Sequence, residues 1–243
     1  MKDIIERLRI DEDYYGEFGS KYLSNSDIDS LIKDPKSFKQ QKPDNKNFTY
    51  GRYFHQLILE PEKAKAWEFC DVSSRNTKKY KEFISERGIE VALLSKESEE
   101  VQSLVKEMMS NITFYENIKH ANAEYEVPSV KEIMGFEWKG KADIVLPDVV
   151  IDLKTTSDIF AFKWNSKKYN YDSQAWIYGQ LFGRPLVFYV IDKTTSMLGI
   201  FEPSTEFLES GKAKVALAIE NYNKFFSKKK TEDIDSFYIY ETI

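Results

Sequence analysis

The stretch GKADIVLPDVVIDLKTT, residues 140–156, decides the fold. Its two runs of apolar, mostly β-branched residues are separated by Pro147-Asp148, a pattern typical of a β-hairpin whose turn lies at those two residues. A turn centred there pairs residues whose numbers add up to 295, so that Asp143 lies opposite Asp152. Two carboxylates at directly opposed strand positions repel each other, unless a hard divalent cation lies between them. The stretch therefore predicts a hairpin that carries a metal site.

Lys154 extends this cluster. Side chains alternate along a strand, so Lys154 lies on the same face as Asp152, while Leu153 points to the other face. Proline cannot adopt the positive φ of a tight hairpin turn, so the turn is of type I or longer, and a slip of one residue would separate the two acids. The residues alone leave two interpretations open: a metal site, or an ordinary strand edge that faces solvent.

Outward from the hairpin, the hydrophobic periodicity predicts an α/β (α+β) fold, with a mixed central sheet flanked by helices. Apolar residues recur at helical spacing before residue 120 and alternate as in strands after residue 122. We expect one domain over residues 1–243, with a helical N-terminal part at about 1–120, a sheet core at about 121–203 and a C-terminal helix at about 204–230. The individual predictions are helices between 26 and 35, at 50–60, at 76–87, from 95 onward, at 171–182 and at 205–227, and strands at 125–133, 136–144, 149–151, 186–191 and 197–202.

The composition limits the class of protein and of site. Among 243 residues there are 40 acidic and 35 basic side chains, a net charge of -5, which is too acidic for a protein that binds nucleic acid by bulk charge alone. The single cysteine, Cys70, excludes an intramolecular disulfide and a four-cysteine zinc or iron–sulfur site. The charged N-terminal stretch is unlike a signal peptide, and no run is apolar enough to span a membrane. We therefore expect a cytoplasmic protein without a membrane partner.

Four short motifs follow one another along the chain. They are GRYFH at 51–55, GKAD at 140–143, DLK at 152–154 and QAWIY at 174–178. With these motifs the chain resembles the PD-(D/E)XK nuclease superfamily, and within it the RecB-like and phage exonuclease branch, of the exodeoxyribonuclease VIII type and lambda-exonuclease-like. The stretches LILEP at 57–61 and LSNSDIDSLIKDPKSF at 23–38 are also similar to that type.

Asp143 is the residue that matches the first acid of the family pattern. The proline that the family places before this acid is absent, since Ala142 stands there. The dipeptide Pro147-Asp148 has the same residues as the proline–aspartate pair of the family pattern. It lies only four residues before Asp152, however, which is too close for it to be on the opposing strand. The resemblance implies a restriction-endonuclease-like αβββαβ core with a helical N-terminal part.

The resemblance also implies the roles of the central residues. Asp143, Asp152 and Lys154 would be catalytic, with Lys154 orienting or activating the attacking water and offsetting the phosphate charge. The metal ligands would be Asp143, Asp152, the Leu153 carbonyl and His55, holding Mg²⁺ or Mn²⁺. His55 on an amphipathic helix is otherwise an ordinary polar residue of that helix.

Further residues are candidates for DNA binding or support, each with a structural alternative. They are Gln174 and Tyr178 on one helix face, Glu124 in preference to Glu126 on the first strand, Arg52 one turn from His55, Ser24 and Ser26 as a terminal-phosphate pocket at a helix start, and Lys163, Lys167 and Lys168 interleaved with aromatic residues. Helix packing would account for the first pair, solvation for the charges, and helix capping for the serines.

As a function, the resemblance implies a Mg²⁺-dependent exonuclease that degrades linear double-stranded DNA from a 5′-phosphate end, in the 5′-to-3′ direction, during phage-type recombination. It further implies a ring-shaped homo-oligomer, a trimer or tetramer, a single-strand annealing protein as partner, and the cytoplasm of a bacterial or phage-infected cell. Two alternatives stay open: an endonuclease or single-strand nuclease of the same fold, and a non-catalytic DNA-binding protein on a nuclease fold.

Overall fold

A five-stranded mixed β-sheet lies at the centre of the fold. The computed structural model describes residues 2–40, 43–240 and 242, so the predicted domain bounds at 1 and 243 lie outside the described residues. The strands follow one another in space in chain order, and β3 and β4 are parallel while all other neighbours are antiparallel. They are β1 (Glu124–Ile133), β2 (Phe136–Val145), β3 (Val150–Thr156), β4 (Leu186–Asp192) and β5 (Leu198–Phe201).

Helices precede the sheet, connect its parallel strands and follow it. Before β1 lie α1 (Lys2–Leu8), α2 (Asp11–Tyr15), α3 (Glu17–Ser20), α4 (Ile28–Lys33), α5 (Lys46–Leu59), α6 (Pro61–Ala64), α7 (Lys78–Arg87), α8 (Ser95–Ser110) and α9 (Ile112–Ile118); α10 (Phe162–Lys168) and α11 (Tyr171–Phe182) join β3 to β4; and α12 (Thr205–Phe225) follows β5. Short 3₁₀ helices lie at Asn25–Asp27, Pro35–Ser37 and Ile234–Ser236. The predicted fold class, a mixed sheet with flanking helices and a helical N-terminal region, is confirmed. Within the described residues, no helix has the length and apolar character needed to cross a membrane.

Two hydrophobic layers cover the two faces of the sheet. Alternate side chains of β3 and β4 point to opposite faces, so that Val150 and Phe188 pack toward α11 and α12 while Ile151 and Leu153 pack toward α5 and α8. Each fully buried side chain of this kind contributes roughly 1.5–3 kcal/mol to folding. Both faces of the sheet are thus covered: α11 and α12 pack against one face of its central strands, and α5 and α8 pack against the other.

Helix α5 begins earlier than its hydrophobic period predicts. The apolar pattern starts at Tyr50, but the side chain of Asn45 accepts hydrogen bonds from the N–H groups of Asn47 and Phe48 at 2.9 and 3.1 Å, which is an N-cap. The added first turn begins with three exposed residues, Lys46, Asn47 and Phe48, so periodicity alone does not show it. This helix carries His55 toward the edge of the β2–β3 hairpin.

Candidate active site

The β2–β3 hairpin opens where the predicted acids lie. Its ladder pairs Ile144 with Ile151 and Val145 with Val150, which confirms the predicted register. The expected next pair, Asp143 with Asp152, is not part of the ladder, and that prediction is wrong. Instead, the N–H of Leu153 donates a 2.7 Å hydrogen bond to Asp143 Oδ2, so a side chain takes the position that a ladder carbonyl would occupy and the strands separate.

Three groups meet in this opening. His55 Nε2 lies 2.8 Å from the Leu153 carbonyl oxygen and 3.7 Å from Asp143 Oδ2. The three residues come from α5, β2 and β3, so tertiary packing brings them together. The structure therefore places three of the four predicted metal ligands within contact of one another.

Asp152, the fourth, is buried beside them. Gln174 Nε2 donates a 2.6 Å hydrogen bond to Asp152 Oδ1. Lys154 Nζ forms an ion pair of 2.5 Å with the other oxygen, Oδ2, and Oδ2 has no further partner among the described residues. Burial raises the pKa of Asp152; the Lys154 ammonium opposes this rise and the Asp143 carboxylate adds to it. One carboxylate oxygen is thus fixed by Gln174, and the other keeps lone pairs free for a cation.

Lys154 is held as a cation. Burial favours the neutral amine, but the attraction of the Asp152 carboxylate outweighs it and raises the pKa of Lys154 above its ordinary value. The ammonium lies 4.8 Å from the ring centroid of Tyr171, a distance typical of a cation–π contact. Lys154 therefore brings a fixed positive charge to the site.

On β1 the acid nearest this site is Glu126, which corrects the preference for Glu124. Glu124 is exposed at the start of the strand and pairs with Val145. The same register places Glu126 opposite Asp143, but no bridge forms there because Glu126 has a φ of 49°. Burial and then the neighbouring Asp143 raise the pKa of Glu126 to about 8, which is the expected response to an excess of negative charge.

Tyr178 and Arg52 lie near the site without contact to its acids. The Tyr178 hydroxyl donates a 2.9 Å hydrogen bond to the carbonyl of Lys141, two residues before Asp143, and so supports β2. Arg52 is exposed at the surface and pairs with Asp44 at 3.3 Å. Of the two predicted contacts on α11, Gln174 reaches an acid and Tyr178 supports the strand behind it.

The structure does not support the phosphate pocket predicted at Ser24 and Ser26. Ser24 begins a 3₁₀ helix of three residues, and its hydroxyl and its N–H both donate to Asp27 Oδ2 at 2.8 Å. The Ser26 hydroxyl lies 2.9 Å from that of Ser24. A carboxylate already occupies the position that a phosphate would need, so the serines form a cap.

The three predicted DNA-contacting lysines lie on one short helix. Lys163, Lys167 and Lys168 are exposed on α10, which begins six residues after β3 ends. The sequence predicts no helix at this position, because seven largely polar residues have no clear apolar period. The lysines are close in sequence to the acids but make no contact with them.

The donors in the opening fit a divalent cation. Carboxylate oxygens, a carbonyl oxygen and an imidazole nitrogen are the ligand types that Mg²⁺ and Mn²⁺ accept, and the one partner of the buried Asp152 Oδ2 is the Lys154 ammonium. In the part of the chain that the structure describes, no three His, Cys, Asp or Glu side chains form a metal-binding group by themselves. A cation at this position would therefore need the Leu153 carbonyl as one of its ligands.

Tyr171 is the site residue without a predicted role of its own. It opens α11 one turn before Gln174, and its ring lies beside Lys154. The sequence could have predicted this position, since Tyr171 lies three residues before Gln174 and residues three apart on a helix share a face. The polar–aromatic face of α11 thus starts one turn earlier than the QAWIY motif.

Comparison with protein families gives one match. A model described as a PDDEXK-like domain of unknown function (DUF3799) matches residues 21–234. The match includes every strand of the sheet and all the site residues described above. None of the curated proteins compared with the chain matches it.

Comparison with solved structures supports the same fold. A candidate exonuclease from Eubacterium rectale is similar over 96% of this chain and 95% of its own, with a TM-score of 0.67 and 15% sequence identity. A phage-related exonuclease from Haemophilus somnus 129PT matches 84% of this chain and 94% of its own at 16% identity, but its TM-score of 0.36 is too low to carry an argument. At these identities the first likeness establishes a shared fold and no shared activity.

Proposed function

The chain belongs to the family of PDDEXK-like domains of unknown function (DUF3799), and on this premise we propose that it is a metal-dependent deoxyribonuclease. The observation that carries the proposal is the environment of Asp152: one buried oxygen is fixed by Gln174, and the other meets only the Lys154 ammonium, at 2.5 Å. The second oxygen therefore has a lone pair left for a metal ion. A buried acid next to a fixed lysine is the arrangement that metal-assisted phosphodiester hydrolysis needs.

In the proposed mechanism, Asp143, Asp152, His55 and the Leu153 carbonyl would hold Mg²⁺ or Mn²⁺, and the ion would supply Lewis acidity toward the phosphoryl group and a bound water. Lys154 orients the attacking water and offsets the negative charge that grows on the phosphate.

Two residues support that arrangement. Gln174 keeps Asp152 in one orientation through its 2.6 Å hydrogen bond, as outer-shell partners of metal ligands do. Glu126, beside Asp143, has a pKa raised to about 8 by burial and then by the Asp143 carboxylate, so it is mostly neutral near pH 7, and a cation in the opening would favour its ionised form.

We further propose that the substrate is linear double-stranded DNA with a 5′-phosphate end, degraded in the 5′-to-3′ direction in phage-type recombination. This finer proposal rests on the motif resemblance. It includes a ring-shaped homo-oligomer, a single-strand annealing protein as partner, and the cytoplasm as the location. Arg52, at the surface one turn from His55, is placed to meet a DNA backbone.

A cleavage assay tests the proposal. The protein is incubated with Mg²⁺ or Mn²⁺ on linear duplexes with 5′-phosphate or 5′-hydroxyl ends, on closed circles and on single strands. We expect loss of linear duplex with preference for the 5′-phosphate, and no loss of circles. Degradation of circles would refute the exonuclease proposal, and the absence of cleavage on every substrate would favour the DNA-binding alternative.

Two variants make the assay specific to the proposed site. Lys154→Ala removes the ammonium group beside Asp152 and should abolish cleavage. Lys106→Ala removes an exposed lysine of α8 and should leave cleavage unchanged. Activity that persists in Lys154→Ala, or in EDTA, would refute the mechanism.

A further inference from the structure

A cavity of about 400 Å³ lies beside the site, between α10, β5 and the start of α12. Its floor consists of the aromatic rings of Phe162, Phe188 and Phe201. The ring centroids of Phe162 and Phe201 are 4.5 Å apart and those of Phe162 and Phe188 are 6.1 Å apart. The volume lies within the usual range of ligand pockets. Phe162 and Phe188 are almost fully buried, so the accessible apolar surface belongs to the partly buried Phe201 and to the rim.

The rim of the cavity is charged on two sides. Trp164 lines it with 71% of its surface exposed, and Lys163 Nζ lies 4.4 Å from the centroid of its ring. Lys167, one turn along α10, lines the same side, while Glu202 and Glu206 line the other. Because the charges of the lining balance, an uncharged group suits the interior and an anion suits only the lysine side.

The cavity lies next to the catalytic strand. Its floor residue Phe188 is the ladder neighbour of Asp152 across β3 and β4. The ring of Tyr171 lies between Phe188 and Lys154: its centroid is 5.5 Å from the centroid of Phe188 and 4.8 Å from Lys154 Nζ. One aromatic ring thus lies between the Lys154 ammonium and Phe188 of the cavity.

We propose that this cavity binds one unstacked base of a DNA strand, while Lys163 and Lys167 contact the phosphates beside it. The inference rests on the proposed function and adds to it a subsite that holds the substrate strand next to the scissile bond. Stacking of bases on aromatic side chains, with lysines along the backbone, is how proteins hold single strands without reading sequence. An apolar side chain of a protein partner would also fill an aromatic cavity, but it would not need two lysines at the rim.

Binding of single strands in EDTA, measured by fluorescence anisotropy, tests the inference without cleavage. The probes are a short labelled oligodeoxynucleotide and a strand of the same length and charge in which every base is absent. We expect Trp164→Ala to weaken binding of the base-bearing strand about tenfold, which lies within the range that one stacked base contributes, and to leave binding of the abasic strand unchanged. Trp164→Phe, which keeps a ring, should retain most of the affinity.

Two controls separate stacking from charge. Phe160→Ala removes an aromatic side chain that is 76% exposed nearby but does not line the cavity, so both affinities should stay as in the wild type. Lys167→Gln should weaken both strands equally and reduce the salt dependence of binding.

The outcomes distinguish this inference from the proposed function. If Trp164→Ala binds both strands as the wild type does, the base pocket is refuted, whether or not the protein cleaves DNA, and the cavity is left to an apolar side chain of a partner. If the base-dependent loss is found but no DNA is cleaved with Mg²⁺ or Mn²⁺, the pocket stands and the nuclease proposal fails.

Discussion

Replacing Gln174 by leucine removes the hydrogen bond that fixes Asp152 and leaves the size of the side chain nearly unchanged. The bond is 2.6 Å long, buried, and made to a carboxylate, and hydrogen bonds to charged groups contribute about 1.5–3 kcal/mol. We therefore expect Gln174→Leu to lower the free energy of unfolding by about 2 kcal/mol. For a protein of this size that corresponds to a decrease in Tm of about 4–8 °C.

The assay is thermal unfolding in EDTA, followed by circular dichroism, with the cleavage rate measured in parallel. The matched control is Gln180→Leu, on the same helix but exposed, which should change the free energy of unfolding by less than about 0.5 kcal/mol. The cleavage rate of Gln174→Leu should fall at least about tenfold because Asp152 loses its fixed orientation. A Tm equal to that of the control would show that Gln174 does not hold Asp152, and the geometric argument for the site would fail.

Three further predictions concern other parts of the molecule. Burial favours the neutral form of Glu97, but its carboxylate accepts hydrogen bonds from Arg75 and from the N–H of Leu94. These bonds outweigh burial and lower the pKa of Glu97 from 4.5 to about 2. About 3 kcal/mol of stability, present above pH 4.5, should therefore be lost as the pH falls toward 2. Urea unfolding at several pH values measures this loss, which should be absent in Glu97→Gln; parallel pH profiles of the two proteins would refute it. Gly211→Ala should destabilise by at least about 3 kcal/mol, because a Cβ would lie 2.1 Å from the Asp172 carbonyl oxygen, whereas Gly51→Ala, with nothing within 4 Å, should stabilise α5 by up to about 1 kcal/mol; similar unfolding midpoints for the two variants would contradict this. Mn²⁺ should raise the Tm of the wild type and not that of Asp143→Asn, since a ligand stabilises only a protein that binds it; equal shifts in a calorimetric scan would mean that the ion binds elsewhere.

The sequence predicted the hairpin register because a turn fixes strand pairing by simple counting. Once the turn was placed at 147–148, Ile144 had to face Ile151, as it does. Counting fails at the next pair, Asp143 and Asp152, where the Asp143 side chain takes the place of a ladder carbonyl. The position of the opening depends on the hydrogen bond between Leu153 and Asp143, which no local pattern encodes.

The choice between Glu124 and Glu126 shows a second limit. Alternation places both side chains on one face of the strand, so the period cannot separate them. The structure separates them through the backbone at Glu126, where φ is 49°. Positive φ at a residue other than glycine is uncommon, and the letters of the sequence give no sign of it.

The serines near the N-terminus show an avoidable error. Ser24 is followed three residues later by Asp27, and Ser or Thr followed three residues later by an acidic residue or Gln is the spacing of a capping box. That spacing predicts the bonds that the structure shows. A phosphate pocket required those serines to be free, and the capping box was the better-supported interpretation of the same residues.

The short ladder between β2 and β3 also divides the sheet into two ribbons. β1 and β2 pair along nearly their whole length, as do β3 and β4, but the seam between the ribbons holds only near the turn. The Leu153 amide proton at this seam is held by the Asp143 side chain instead of a ladder carbonyl, so its exchange with solvent would report how far the ribbons part. Because Asp143 belongs to one ribbon and Asp152 to the other, a small rotation at the seam would change the distance between them while both ribbons stay intact.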